Sequence, residues 1–282
     1  MAAMAHFDIP CTVEDLDISD SESSRSTSRK RRIEDGPASP CKRRLVLGAS
    51  PGHGFASIET VPQLQALLGP GFARAHFAAL NDSGSSWLLL LRRWLPSREN
   101  FEKLWAKHPP TLGKAKLFGK EVTFHRYQQA FGVDYAFSGQ VAEAHPLSEE
   151  ASPEVWHVLA TLRHALSMSS APLKNCNFGA CLVNWYDGGK HSIGAHSDDE
   201  KGLVPGSPIF AVSWGNQRLF RVTPRKADSG KKVEVELEDG DLVVMGGTCQ
   251  RTHKHAVPPS AKRNGRRISL TFRCFQSQQS RS

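Results

Sequence analysis

The triplet His196-Ser197-Asp198 places an imidazole and a carboxylate two residues apart. In extended chain, positions i and i+2 project to one face, so both groups can reach one metal ion and leave its far side open. A third donor, a nitrogen from a facing strand, would complete a set of two histidines and one carboxylate. Such a set keeps three positions of an Fe(II) ion open, which is what binding a bidentate 2-oxo acid and O2 together requires. The segment Thr252-His253-Lys254-His255-Ala256-Val257-Pro258 supplies two candidates for that nitrogen, His253 and His255, and the residues alone leave both standing.

The last strand-like run, Arg267-Ile268-Ser269-Leu270-Thr271-Phe272-Arg273, alternates cleanly. Ile268, Leu270 and Phe272 face one way, into packing, while Arg267, Ser269, Thr271 and Arg273 face the other. Guanidinium groups on a buried face are costly unless carboxylates meet them. Two arginines leaning toward each other along such a strand can close on a small dicarboxylate. An edge strand with solvated arginines is the plainer alternative.

The elements that must position these groups are mostly strands. After Asn177 the apolar pattern has period two over 178–186, 209–214, 218–222, 232–237, 242–245 and 267–275, with turns at Gly215-Asn216 and Asp239-Gly240. Short strands at this density indicate a double-sheet jelly roll or barrel. Two helices are expected to brace one side. One, capped by Ser97, carries Phe101, Leu104 and Trp105 and stops at Pro109-Pro110. The other opens at Ser152-Pro153 and aligns Val155, Val158, Leu159, Leu162 and Leu166. Trp87 to Leu91 reads as a buried strand.

The 282 residues are expected to hold one catalytic core over 85–276, with a tail at 277–282. Residues 1–56 are too polar to offset chain entropy by burial and read as a disordered basic tail. Within it, Arg29-Lys30-Arg31-Arg32 and Lys42-Arg43-Arg44 have the layout of a bipartite nuclear-import signal. Residues 57–84 read as a short helical linker through Leu64, Leu67 and Leu68. A net charge of +8 favours a polyanionic partner, though only weakly. The six cysteines form no Cys-x-x-Cys pair, so reduced thiols in the nucleus or cytosol are expected. The longest apolar run, Trp87 to Leu91, is far short of the roughly 20 residues that span a bilayer, so no membrane is expected.

Asn184-x-Tyr186, His196-x-Asp198 followed by Asp199-Glu200, Gly206-Ser207-Pro208-Ile209, His255 before Val257-Pro258, and Arg267-x-Ser269-Leu270-Thr271-Phe272-Arg273 together closely resemble the AlkB family of oxidative demethylases. The resemblance covers roughly 85–275 and is nearest the eukaryotic branch that repairs duplex DNA. It implies a mainly β chain with flanking helices (α+β), a double-stranded β-helix (jelly roll) with an N-terminal nucleotide-recognition lid. It implies that His196, Asp198 and His255 bind Fe(II), with His253 the fallback, and that Asn184, Tyr186, Arg267, Ser269 and Arg273 hold 2-oxoglutarate. The family usually has Asn at the position of Ser269, and a serine reaches less far. The implied reaction uses O2 and 2-oxoglutarate to remove methyl groups of the 1-methyladenine and 3-methylcytosine type from DNA, releasing formaldehyde, succinate and CO2.

A base must leave the stack to be reached. Tyr135, Phe137 and Ser138 resemble the family's pocket segment, and Phe118 between Leu117 and Gly119 resembles its duplex wedge. Asp199 and Glu200 sit where the family places carboxylates that read a cationic methylated ring. Arg126 with Gln128, and the loop residues Arg225, Lys226, Lys231 and Lys232, are candidate phosphate contacts. The expected partner is double-stranded DNA, bound by a monomer in the nucleus. The same chemistry on RNA or on a methyl mark is the alternative. A nucleic-acid-binding jelly roll without catalysis is the reading from another class, and three ligands plus two inward arginines argue against it.

Overall fold

A computed structural model describes residues 44–47, 75–117, 119–137, 140–167, 177–200, 202–227 and 230–276. In chain order the elements are β1 (Arg44–Leu47), β2 (Ala75–Ala79), β3 (Ser86–Leu91), α1 (Asn100–Trp105), β4 (Lys114–Leu117), β5 (Lys120–Thr123), β6 (Tyr127–Phe131), β7 (Tyr135–Phe137) and β8 (Gln140–Ala142). They continue with α2 (Pro153–Ser167), β9 (Ala180–Tyr186), β10 (Ile193–His196), β11 (Ile209–Gly215), β12 (Arg218–Pro224), β13 (Lys232–Leu237), β14 (Leu242–Gly247), α3 (Cys249–Thr252), β15 (His253–Val257) and β16 (Arg267–Arg273).

Two sheets face each other. The larger has strand order β2-β3-β14-β11-β16-β9-β6, and the smaller runs β1-β13-β12-β15-β10. Every pairing in them is antiparallel except β1 with β13. The arrangement is mainly β, two facing sheets as in a jelly roll, with α1 and α2 packed on the outer face of the larger. The hairpins β4–β5 and β7–β8 stand apart as separate two-stranded units.

Strand periodicity explains the layering. Alternate residues of the larger sheet, among them Leu89, Val183, Trp185, Val212, Trp214 and Leu270, pack in one cluster with Val155, Val158, Leu159 and Leu162 of α2. The intervening residues, including Leu88, Leu90, Val243 and Met245, join Val222, Val233 and Val235 of the smaller sheet in a second cluster. Both faces of the larger sheet are therefore covered, and each fully buried aliphatic side chain stabilises the fold by roughly 1.5–3 kcal/mol. In β16 all seven residues are buried. Its apolar half serves the helix-side core, and its polar half faces the gap between the sheets.

Some expectations need correction. A strand, β2, lies inside the 57–84 segment expected as a helical linker and pairs with β3 from Ala75↔Leu91 to Ala79↔Trp87. The ordered fold thus starts ahead of residue 85, and within the 1–56 segment expected to be disordered, β1 pairs with β13 from Arg44↔Lys232 to Leu47↔Val235. The alanine-rich run has low intrinsic strand propensity, so pairing with a buried neighbour decides its conformation. Helix α1 is shorter than expected, and Ser97 does not cap it: the helix starts after Glu99, and the Ser97 amide donates to Asp239 Oδ2 at 3.2 Å. The expectations for the basic runs at 29–32 and 42–43 and for a helix near Leu64 fall outside the described residues. Among the described residues, Cys181, Cys249 and Cys274 are buried thiols outside any disulfide, and no helix is long and apolar enough to cross a membrane.

Candidate functional site

His196 ends β10, and its direct cross-strand partner is His255 of β15. This register brings the two imidazoles together, tilted by 52° at a ring-centroid distance of 4.2 Å. Asp198 follows two residues later, its amide donating to Gln250 Oε1 at 2.9 Å. Ser197 anchors the same turn by donating from Oγ to the His253 carbonyl at 2.7 Å. The Asp198 carboxylate then reaches between the rings, with Oδ1 3.5 Å from His196 Nε2 and 3.8 Å from His255 Nε2. One donor atom from each residue lies within 4.8 Å of the others. The His253 ring lies elsewhere, with Nδ1 2.7 Å from Thr252 Oγ1.

The electrostatics suit a cation. Burial alone would push the Asp198 carboxyl up, but Arg273, His255 and His196 prevail and hold it well below the usual carboxylate range. Burial, reinforced by His196, lowers His255 to about 3, which keeps its ring neutral and a lone pair available. Asp198 Oδ1 is buried without a hydrogen-bond partner. A buried, ionised, unpartnered oxygen is expensive unless a cation meets it. Gaps of 3.5 and 3.8 Å admit one ion about 2.1 Å from each donor. The residues present therefore fit Fe(II).

The neighbouring strands build the second half of the cavity. Across β9 and β16, Tyr186 is paired with Arg267 and Asn184 with Ser269, so all four side chains share the inward face. Arg267 donates from Nη2 to Ser213 Oγ at 2.8 Å and lies 5.1 Å from the Tyr186 ring centroid. Its Nε and Nη1 are buried and unpartnered. That leaves charged N–H groups free to meet a carboxylate the protein does not supply. Asn184, Tyr186, Arg267, Ser269 and Arg273 line one cavity with His196, Asp198 and His255.

Arg273 behaves differently from its strand mate. Its Nη2 donates to Asp198 Oδ2 at 2.7 Å, and its Nε sits 3.7 Å from Glu200 Oε1. Burial opposes its charge, but Asp198 and Glu200 raise its pKa above the ordinary arginine value. Tyr135 closes this end with its ring 5.5 Å from the Arg273 guanidinium. Burial pushes the Tyr135 hydroxyl pKa up against the pull of Arg273.

The remaining expected substrate residues divide. Asp199 and Glu200 were paired in sequence but part in the structure. Asp199 is exposed and accepts from Arg225 Nη2 at 2.6 Å, whereas the Glu200 side chain is 12% exposed beside Arg273. Arg126 and Gln128, expected at phosphates, turn toward the cavity instead. Arg126 donates from Nε to Asn184 Oδ1 at 2.7 Å and from Nη2 to Gln128 Oε1 at 3.0 Å. The cause is the β6–β9 pairing, which sets Gln128 opposite Asn184 and carries Arg126 just past the ladder's end. Of the loop cations, Arg225 is engaged by Asp199, and Lys232 pairs with Glu234 at 3.0 Å. Phe118 and Ser138 lie outside the described residues, and Phe137 is described in its backbone alone.

Sequence reasoning missed Ser213, Gln250 and Arg218. Arg218 carried a legible signal: it shares the inward face of β12 with Phe220 and Val222, an unusual place for a cation.

The comparisons with known proteins agree with this geometry. Residues 90–273 match the model of the 2OG-Fe(II) oxygenase superfamily. The chain is 33% identical over 173 residues to the human DNA oxidative demethylase ALKBH2, covering 57% of this chain and 61% of that protein. It is 30% identical over 210 residues to the protein of that name from Arabidopsis thaliana, covering 66% and 65%. It is 32% identical over 126 residues to the human alpha-ketoglutarate-dependent dioxygenase alkB homolog 3, covering 42% and 43%. The matched stretch thus spans less than two thirds of each of these curated relatives. The chain belongs to the 2OG-Fe(II) oxygenase superfamily.

Proposed function

We propose that this protein oxidatively demethylates N-methylated bases of the 1-methyladenine and 3-methylcytosine type in DNA, consuming O2 and 2-oxoglutarate and releasing formaldehyde, succinate and CO2. One observation carries the reading. A His-Asp-His group, with Asp198 and His255 buried and His196 partly exposed, lines the same cavity as an arginine with unsatisfied N–H groups, which is what an iron ion and a dicarboxylate jointly require. The DNA demethylase names of the relatives supply the substrate class.

In this reading His196, Asp198 and His255 hold the metal. Arg267 takes the distal carboxylate of 2-oxoglutarate, with Asn184, Tyr186 and Ser269 at its side. Arg273 fixes which Asp198 oxygen faces the metal and belongs to the cosubstrate site as well. Iron and 2-oxoglutarate supply the O2-dependent oxidation of the methyl group when bound. The chain's own residues orient the groups and exclude water.

A base has to be flipped out to arrive here. Glu200 provides a buried negative charge that favours a methylated, cationic ring over a neutral base, and Tyr135 offers an aromatic wall. Phe137 and Ser138 complete the base pocket, and Phe118 acts as the wedge in duplex DNA. We assign the catalytic domain to about 75–276, with β1 at 44–47 adding a strand to its smaller sheet, and the basic runs at 29–32 and 42–44 to nuclear import, with the protein acting as a monomer.

The test is formaldehyde release from matched oligonucleotides carrying 1-methyladenine as duplex DNA, single-stranded DNA or RNA, with and without 2-oxoglutarate. Strict dependence on 2-oxoglutarate and preference for duplex DNA are expected. Faster turnover of RNA would overturn the DNA assignment, and no turnover on any polymer would overturn the demethylase reading.

A further inference from the structure

Arg218 is fully buried, and every hydrogen-bond acceptor it has among the described residues is a backbone carbonyl. Its guanidinium donates to Gly188 O at 3.1 Å, His191 O at 2.7 Å and Pro258 O at 2.8 Å. Its Nε has no partner. A buried cation held only by dipoles is expensive, because three carbonyls return part of the lost hydration and none of the missing negative charge.

The three carbonyls belong to two loops with functional neighbours. Gly188 and His191 lie in the link from Tyr186 at the end of β9 to β10, which carries His196. Pro258 directly follows β15, which carries His255. The loops also touch directly: the Ser260 amide donates to Gly189 O at 2.8 Å, and a Cβ on Gly189 would fall 1.8 Å from Ser260 O. Arg218 thus ties together the segments leading to both metal-side strands.

Its charge sits near the cosubstrate end as well. The Tyr186 ring has two cations against it, Arg267 at 5.1 Å from the centroid and Arg218 at 5.7 Å. Two like charges share this buried corner, Arg218 opposing the charge on Arg267, and neither is in an ion pair among the described residues. The pair makes chemical sense if a ligand brings the anion, since a distal carboxylate on Arg267 would be attracted by both.

We propose that Arg218 is a positioning residue for the dicarboxylate cosubstrate, acting through Tyr186 and the joined loops and through its field on the carboxylate held by Arg267. Its charge makes the site prefer a 2-oxo dicarboxylate over a 2-oxo monocarboxylate. The inference rests on the 2-oxoglutarate site proposed above.

The test compares binding of 2-oxoglutarate and 2-oxobutyrate to the Mn(II)-loaded full chain by calorimetry, alongside thermal melting. Arg218→Gln is expected to reduce the preference for 2-oxoglutarate about tenfold while leaving 2-oxobutyrate affinity nearly unchanged. Arg218→Lys, which keeps the charge and loses the fork, is expected to retain the preference despite a lower melting temperature. Gly189→Ala, which strains the same loop contact without touching charge, is expected to melt earlier with the preference intact. If Arg218→Gln does not fold, replacing Arg218 with citrulline keeps the planar donors, removes the charge and carries the same expectation. An unchanged preference in the neutral variant would overturn the assignment and leave Arg218 a structural clamp. Failure of the wild-type protein to bind 2-oxoglutarate would instead overturn the underlying site.

Discussion

Arg273 and Asp198 hold each other in the interior, Nη2 donating to Oδ2 at 2.7 Å with 4% and 1% of their side chains exposed. The bond uses one carboxylate oxygen and leaves Oδ1 toward both imidazoles. A partner that orients a ligating carboxylate is usually worth 10–100-fold in metal affinity. Arg273→Met is therefore expected to weaken Mn(II) binding by at least about tenfold, measured calorimetrically. Affinity equal to wild type would show that Asp198 needs no orienting partner.

Arg126 offers a sharp contrast between two tasks. A phosphate contact would lower the salt dependence of DNA binding by about one unit of slope when removed. The observed bond to Asn184 instead ties Arg126 to the cosubstrate side of the cavity. Arg126→Ala is expected to raise the KM for 2-oxoglutarate several-fold and leave the salt slope unchanged. A slope change with an unaltered KM would return Arg126 to the phosphate role.

Glu200 is the carboxylate to test for selection of a cationic base. Glu200→Gln keeps the shape and removes the charge. Kinetics should show kcat/KM for 1-methyladenine falling roughly tenfold to a hundredfold, in line with a charged hydrogen bond worth about 1.5–3 kcal/mol. Asp199→Asn, at an exposed position beside Arg225, is expected to change little. Equal losses in the two variants would remove the distinction.

The fold's stability centres on the helix-side core. Trp185 is fully buried and donates from Nε1 to Leu104 O at 3.1 Å, linking β9 to α1. Trp185→Ala is expected to cost about 3–5 kcal/mol in urea unfolding. Val122→Ala, on the exposed β5, should stay within about 0.5 kcal/mol. Comparable losses would mean that the core lies elsewhere.

Legibility followed alternation. β16 was readable because Ile268, Leu270 and Phe272 mark one face and leave Arg267, Ser269 and Arg273 on the other. The i, i+2 spacing likewise brought His196 with Asp198 and Asn184 with Tyr186. What pattern alone did not reveal was direction after folding. Arg126 and Arg225 are both basic residues at strand ends, yet one turns into the cavity and the other to a surface carboxylate, a choice made by cross-strand pairing. β2 is hidden because alanines carry little strand preference, and Arg218 because a single cation on an apolar face has no spacing partner that marks it. The choice between His253 and His255 depended on register: opposite His196 stands His255.

The central claim is that His196, Asp198 and His255 share one metal ion next to a 2-oxoglutarate site. Titrating Mn(II) into wild-type, His255→Ala and His253→Ala proteins, each with 2-oxoglutarate present, tests it most directly. One ion per chain is expected for wild type and for His253→Ala, with binding lost in His255→Ala. Undiminished binding by His255→Ala, or loss in His253→Ala alone, would contradict the account.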